Sequence, residues 1–186
     1  MKMWTFLVVL ASAALAVPAA PAADGEVQGP KIAVIDMQKI MRESEAVQSI
    51  QQQIEQQRSE YQETLSEKEK QLRSADEDLA RQRTVLSAEA FQKKRRDLEG
   101  RVSRLQRDIQ SSKRQLDKNY SEAMRTVQQK LVEIVRDIAG KRDLDMVIGK
   151  ATVVLVRPEL EITDQALERL NDTMTSVELP PLNQSN

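Results

Sequence analysis

The sequence predicts an α+β chain: a long antiparallel α-helical coiled-coil hairpin, or arm, projecting from a small β-rich body that assembles with copies of itself. Three observations lead there. Leu65, Leu72, Leu79 and Leu86 recur at heptad spacing within a stretch, Ser44 to Glu99, that contains neither Gly nor Pro. Short apolar β-type runs flank that stretch on both sides, at 31–36, 145–148 and 151–156. Aromatic residues make up only 3% of the chain and charged ones 31%, a balance that suits long helices better than a thick core.

The first segment, MKMWTFLVVLASAALAVPAAPAA, sets Lys2 before an apolar run from Trp4 to Val17 and then a string of small residues. This reads as a secretory signal peptide, because the run falls short of the ~20 residues a membrane span needs. Cleavage after Ala19 or after Ala22 fits the small-x-small rule, with Ala22 preferred, so 1–22 is expected to be removed. No cysteine follows to accept a lipid. The chain holds neither Cys nor His, which excludes a disulfide framework and any thiolate or imidazole metal site. Residues 23–30 read as a flexible leader ending at Pro30.

KIAVID, 31–36, is an apolar strand. Asp36 is placed to cap a short helix whose apolar positions Met37, Ile40 and Met41 follow helical spacing. The arm, 44–140, then carries the leucine heptads with Ile54, Tyr61 and Ala75 on the adjoining seam. Beyond Ser87 a second register starts, with Phe91, Leu98 and Leu105 in one column and Val102, Ile109 and Leu116 in the other. It continues through Tyr120, Met124, Val127, Leu131, Ile134 and Ile138 to Gly140, read as a C′ glycine.

The step from Leu86 to Phe91 fits neither seam spacing, and Ser87 with Glu89 resembles a new helix start, so a tip is expected near 85–88. Charge agrees. Residues 42–80 hold five Lys/Arg against ten Asp/Glu and residues 94–132 hold eleven against five, so folding at the tip lays opposite charges together. An arm helix over 44–86 would be about 65 Å long at 1.5 Å per residue.

After the arm, DMVI (145–148) and ATVVLV (151–156) read as two strands. Thr163 reads as the N-cap of a helix with apolar Ala166, Leu167 and Leu170, and 175–186 reads as a loose tail. The body formed by 31–43 and 141–174 is too small to stand alone. Oligomerisation through Ile32, Val34, Ile35, Val153, Val154, Leu155 and Val156 is the expected support, since a strand apolar on both faces needs a partner on each.

The order signal peptide, KIAVIDMQKIM, long charged hairpin, VVLVRPELEITDQALERLN resembles the Skp/OmpH-like periplasmic chaperones over roughly 31–174. The two ends carry the likeness: Asp36 after an apolar strand, then Glu161-Ile162-Thr163, then Leu170-Asn171. The family more often has Asp at the position of Glu161 and often an aromatic residue within the VVLV strand. The resemblance implies a homotrimer whose body is a small β-barrel built from strands of all three chains, with three hairpins enclosing a cavity. It implies a periplasmic protein that holds unfolded outer-membrane proteins in transit without ATP. The residues agree on one point independently, for the chain has no Gly-x-x-x-x-Gly-Lys loop to cradle a nucleotide.

No enzyme is expected. The usual nucleophile and base pairings are missing, and carboxylates such as Glu67, Glu69, Asp76, Glu77 and Asp78 belong to a charged helix rather than an apolar pocket. No cofactor is expected. The heptad leucines read as the seam between the arm helices. Ile50, Ile54, Tyr61, Tyr120, Met124 and Val127 read as partly exposed client contacts on the inner side of the arm, each weak and together retentive.

Between 81 and 118 there are twelve Lys/Arg against five Asp/Glu, with Lys93, Lys94, Arg95, Arg96, Arg101 and Arg104 gathered near the tip. Nucleic acid is not the expected partner, given the export signal and the lack of interleaved aromatics for base stacking. Two readings of the basic tip stay open, contact with anionic lipid or lipopolysaccharide and plain solubilisation. The alternative to a chaperone is a structural coiled-coil adaptor or spacer of the cell envelope.

Overall fold

A computed structural model describes residues 29–182. The signal peptide, most of the leader and the last four residues of the tail lie outside them. The chain runs as β1 (Ile32–Ile35), α1 (Met37–Glu43), α2 (Glu45–Arg81), α3 (Ala88–Arg142), β2 (Met146–Gly149) and α4 (Thr163–Thr173), with single 3₁₀ turns at 82–84, 150–152 and 158–160.

The first three helices start where a side chain can satisfy a free N–H group. The Asp36 carboxylate accepts from the Lys39 N–H at 2.8 Å and opens α1. Ser44 separates α1 from α2, and the first N–H of α2, on Glu45, donates to the Asn171 side chain at 3.0 Å. Ser87 accepts from the Ala90 N–H at 3.2 Å and opens α3. The chain therefore reverses between Arg81 and Ala88, and α2 and α3 lie antiparallel as the hairpin. At 55 residues α3 is about 82 Å long, the longest of the described helices.

The hairpin is also the crossover that lets two strands pair in parallel. β1 and β2 align Ile32 with Met146 and Ile35 with Gly149. On the other side of β1 a single bridge joins Val34 to Glu161, with the Ile162 N–H donating to the Val34 carbonyl at 2.9 Å. The core sits where this small sheet, α1, α4 and the base of the arm meet, and Ile40, Ile50, Leu131, Ile138, Ile162 and Leu170 are fully buried there. Burying side chains of this size is worth about 1.5–3 kcal/mol each. The arm base is thus part of the body, not an appendage to it.

Five expectations are corrected. ATVVLV is not a strand: residues 150–152 form a 3₁₀ turn, and Val154 and Leu155 stand 104% and 90% exposed. Within one chain the described residues accordingly form one two-stranded sheet. Val34 and Ile35 face the chain's own interior rather than a partner. Gly140 does not end α3; Asp143 takes the left-handed position (φ 54°), and the Leu144 N–H closes onto the Ala139 carbonyl at 2.9 Å in a Schellman geometry.

Thr163 does not cap α4 through its side chain; its buried hydroxyl accepts from the Asp36 N–H at 2.9 Å instead. The fifth correction concerns the tail. Residues 177–181 are held against both arm helices by side-chain hydrogen bonds, and Leu179 joins the core.

Candidate functional site

The arm changes character along its length. At its base, Val47, Ile50, Val127, Leu131 and Ile134 close the seam completely or nearly so. Farther out the heptad residues Leu65, Leu72, Leu86, Phe91, Leu98 and Leu105 are only half-buried, although Leu79 is buried near the tip. Two open hollows follow from that loosening. One, of about 270 Å³, lies between Leu72 and Leu105 and is edged by Lys68, Gln71, Arg104 and Asp108. The other, of about 570 Å³, lies between Ala75, Leu79 and Leu98 and is edged by Asp78, Lys93 and Lys94. Apolar floor with a charged rim is what thin two-helix packing leaves, because two helices cannot cover both sides of their shared seam.

The proposed client contacts divide against this background. Ile50 and Val127 have no exposure and belong to the core, so they offer no surface. Ile54 and Met124 are half-buried and pack on that core. Tyr61 lines the groove occupied by the tail, and only Tyr120 is exposed, at 39%. Helical spacing placed all six on one side of the arm. It could not tell which of them a third layer covers.

That third layer is the tail. Gln53 makes two bonds to it: its Nε2 donates to the Val177 carbonyl at 2.9 Å, and its Oε1 accepts from the Leu179 N–H at 3.1 Å. Gln57 and Asn119 both donate to the Pro180 carbonyl, at 3.1 and 2.8 Å. Gln115 donates to the Pro181 carbonyl at 3.1 Å. The tail therefore climbs the groove between α2 and α3 toward the tip, held by its main chain.

At the tip Val85 is 84% exposed. Lys93, Lys94, Arg95, Arg96 and Arg104 are exposed and Arg101 half-buried, so the structure brings the basic residues together on one end of the molecule. Lys94 ties α3 to the 3₁₀ turn at the tip by donating to Gln82 at 2.6 Å, and Arg95 pairs with Glu99 at 3.5 Å. The ion pairs that move proton affinities lie at the other end. Hydrogen bonding to Asp143 raises the Lys31 ammonium above its ordinary value, and hydrogen bonding to Asp164 does the same for Lys39. These pairs tie β1 and α1 to the end of α3 and to α4. Among the described residues no cluster of Asp and Glu could hold a metal ion, and no helix is long and apolar enough to cross a membrane.

The sequence profile of the family described as outer membrane protein (OmpH-like) matches residues 31–170. The chain belongs to the OmpH-like family. A solved structure with the same fold is that of a putative outer membrane chaperone (OmpH-like) from Caulobacter crescentus CB15. It superposes with a TM-score of 0.75 at 14% identity, covering 84% of this chain and 92% of that one. No curated protein sequence matches the chain. The residues that carry the OmpH-like likeness have physical work in this fold: Asp36 opens α1, Thr163 receives the Asp36 N–H, Leu170 fills the core and Asn171 caps α2.

Proposed function

We propose that the chain is an ATP-independent holdase of the periplasm, exported by cleavage of residues 1–22, that keeps unfolded outer-membrane proteins from aggregating between its arms. The observation that carries this reading is the half-open outer seam. It presents apolar floor in small, separated patches along tens of ångströms of rigid helix, the geometry for many weak contacts that retain a chain without fixing its conformation. Leu65, Leu72, Leu98 and Leu105 are the contacts this assigns, with the exposed Tyr120 nearer the base as a further one. Catalysis plays no part in such a role, and the chain lacks the His and Cys that most acid–base and nucleophilic chemistry uses.

We propose further that the body assembles with copies of itself, three of them as the resemblance implies. β2 has an unpaired edge, and the two most exposed aliphatic side chains, Val154 and Leu155, follow it closely. Ile32, Val153 and Val156 are half-buried. An open edge beside bare aliphatic side chains is a surface that chains cover by association. Val154→Asp with Leu155→Asp should convert the oligomer to monomer in sedimentation; an unchanged species would exclude this surface.

The function is tested by diluting a urea-unfolded outer-membrane β-barrel protein into buffer without ATP and following light scattering. Suppression that saturates near one oligomer per client is expected. Undiminished scattering at several-fold excess would favour the adaptor or spacer reading.

A further inference from the structure

We propose that the groove between α2 and α3 at the base of the arm is a binding site for an extended polypeptide segment, and that the tail is its built-in occupant. The inference rests on the holdase reading, which supplies the reason for an outside segment to arrive. Four observations point to it.

Recognition runs through the main chain. Gln53 takes the carbonyl of Val177 and the N–H of Leu179, one carbonyl and the amide two residues on, which is how a neighbouring strand would read a peptide. Gln57, Gln115 and Asn119 add only carbonyl contacts, so side-chain identity matters at few positions.

Side chains alternate along the segment. Val177 packs on the core, Glu178 is exposed and Leu179 is buried. This period-two alternation over three residues is the local pattern of any half-buried extended strand, transmembrane barrel strands included. An unfolded barrel protein, the proposed client, offers many segments with this local pattern.

The tail does not use all that the groove offers. Gln57 Oε1 and the Tyr61 hydroxyl are buried there without a hydrogen-bond partner. Beside them the tail presents Pro180 and Pro181, which have no N–H to give, before Leu182. An ordinary segment would supply those donors.

The tail is also tethered. A covalently linked segment works at an effective concentration of roughly millimolar, so it excludes weak ligands and yields to chains that bind at several points. The groove is thereby closed to stray peptides and open to multivalent clients.

The test uses full-length chains and a fluorescent synthetic peptide copying one strand of an outer-membrane β-barrel protein. Leu179→Glu should free the groove and raise affinity for the peptide about tenfold or more over the unmodified chain. An unlabelled peptide of residues 174–186 should displace it, and Gln53→Ala in the freed background should lower affinity again about fivefold or more, as loss of its backbone bonds requires. Equal affinity for the freed and unmodified chains, or no displacement by the 174–186 peptide, would overturn the proposal.

Because Leu179 packs in the core, hydrogen exchange in the unmodified chain gives a second reading that needs no substitution. The Leu179 amide should be protected in the free protein and lose protection when an unfolded barrel client is bound. Continued protection with client bound would overturn the proposal while leaving the holdase reading intact. Peptide displacement without suppression of aggregation would uphold the groove and reject the holdase.

Discussion

Ile50 separates the two roles an arm residue can have. It sits in α2 with no exposure, packed into the core formed with α3 and α4. Ile50→Ala removes three carbons, about 2.4 kcal/mol at about 0.8 per buried CH₂. The cavity left behind brings the expected loss to about 3–4 kcal/mol, since helix packing on three sides limits collapse. With a urea slope of about 2 kcal/mol per molar, the unfolding midpoint should fall by about 1.5–2 M. Circular dichroism at 222 nm against urea measures this directly. Tyr120→Ala is the control: at 39% exposure it should cost about 1 kcal/mol or less. A midpoint shift below about 0.3 M for Ile50→Ala, together with weakened client capture, would refute the placement of Ile50 in the core and restore it as a contact surface.

Three other outcomes are expected. Stability should stay level near neutral pH and decline as pH falls below 3.8 toward more acid values. Asp137 is held below that value by hydrogen bonding from Lys141, with the charges of Lys141 and Arg169 assisting, so its contribution is present above the unfolded pKa and lost on protonation. Asp137→Asn should remove part of that acid dependence in urea titrations from pH 2 to 7; an unaltered profile would exclude the pairing. Gly100→Ala should raise stability by up to about 1 kcal/mol, because Gly100 lies inside α3 and the nearest atom to an added Cβ is Arg104 Nη1 at 3.8 Å. A lower midpoint would show that α3 bends there. Reversing Lys93, Lys94, Arg95 and Arg96 to Glu should abolish sedimentation with anionic liposomes at low salt, each charge being worth about 1 kcal/mol near such a surface; unchanged binding would reduce the tip to solubilisation.

How much of this could be read from the sequence depends on how local the cause is. The tip was legible because a five-residue step breaks the heptads beside a serine that can cap, and Ser87 does cap. The first helix was legible for the same reason at Asp36. Thr163 and Asn171 look like local signals but serve distant partners, Asp36 and Glu45, which no window of sequence reveals. Gly140 drew the helix end too early because Asp143 can occupy the left-handed region and gains Lys31 as an ion partner at 2.7 Å.

ATVVLV reads as a strand on composition alone, yet within one chain β2 ends the sheet and nothing pairs with the run. The tail was the largest omission. The signal for it lay in the arm: Gln53, Gln57 and Asn119 put polar groups on or beside the buried seam, where a polar interruption needs a main-chain partner.

The proposed function requires clients to be held along the arm. Its most direct test is site-specific photo-crosslinking, with a photoreactive residue placed singly at Leu72, Leu105, Tyr120 and, on the body, Asp143, each captured with an unfolded outer-membrane protein. Crosslinks from the three arm positions and none from Asp143 are predicted. Crosslinks confined to the body, with bare arms, would contradict it.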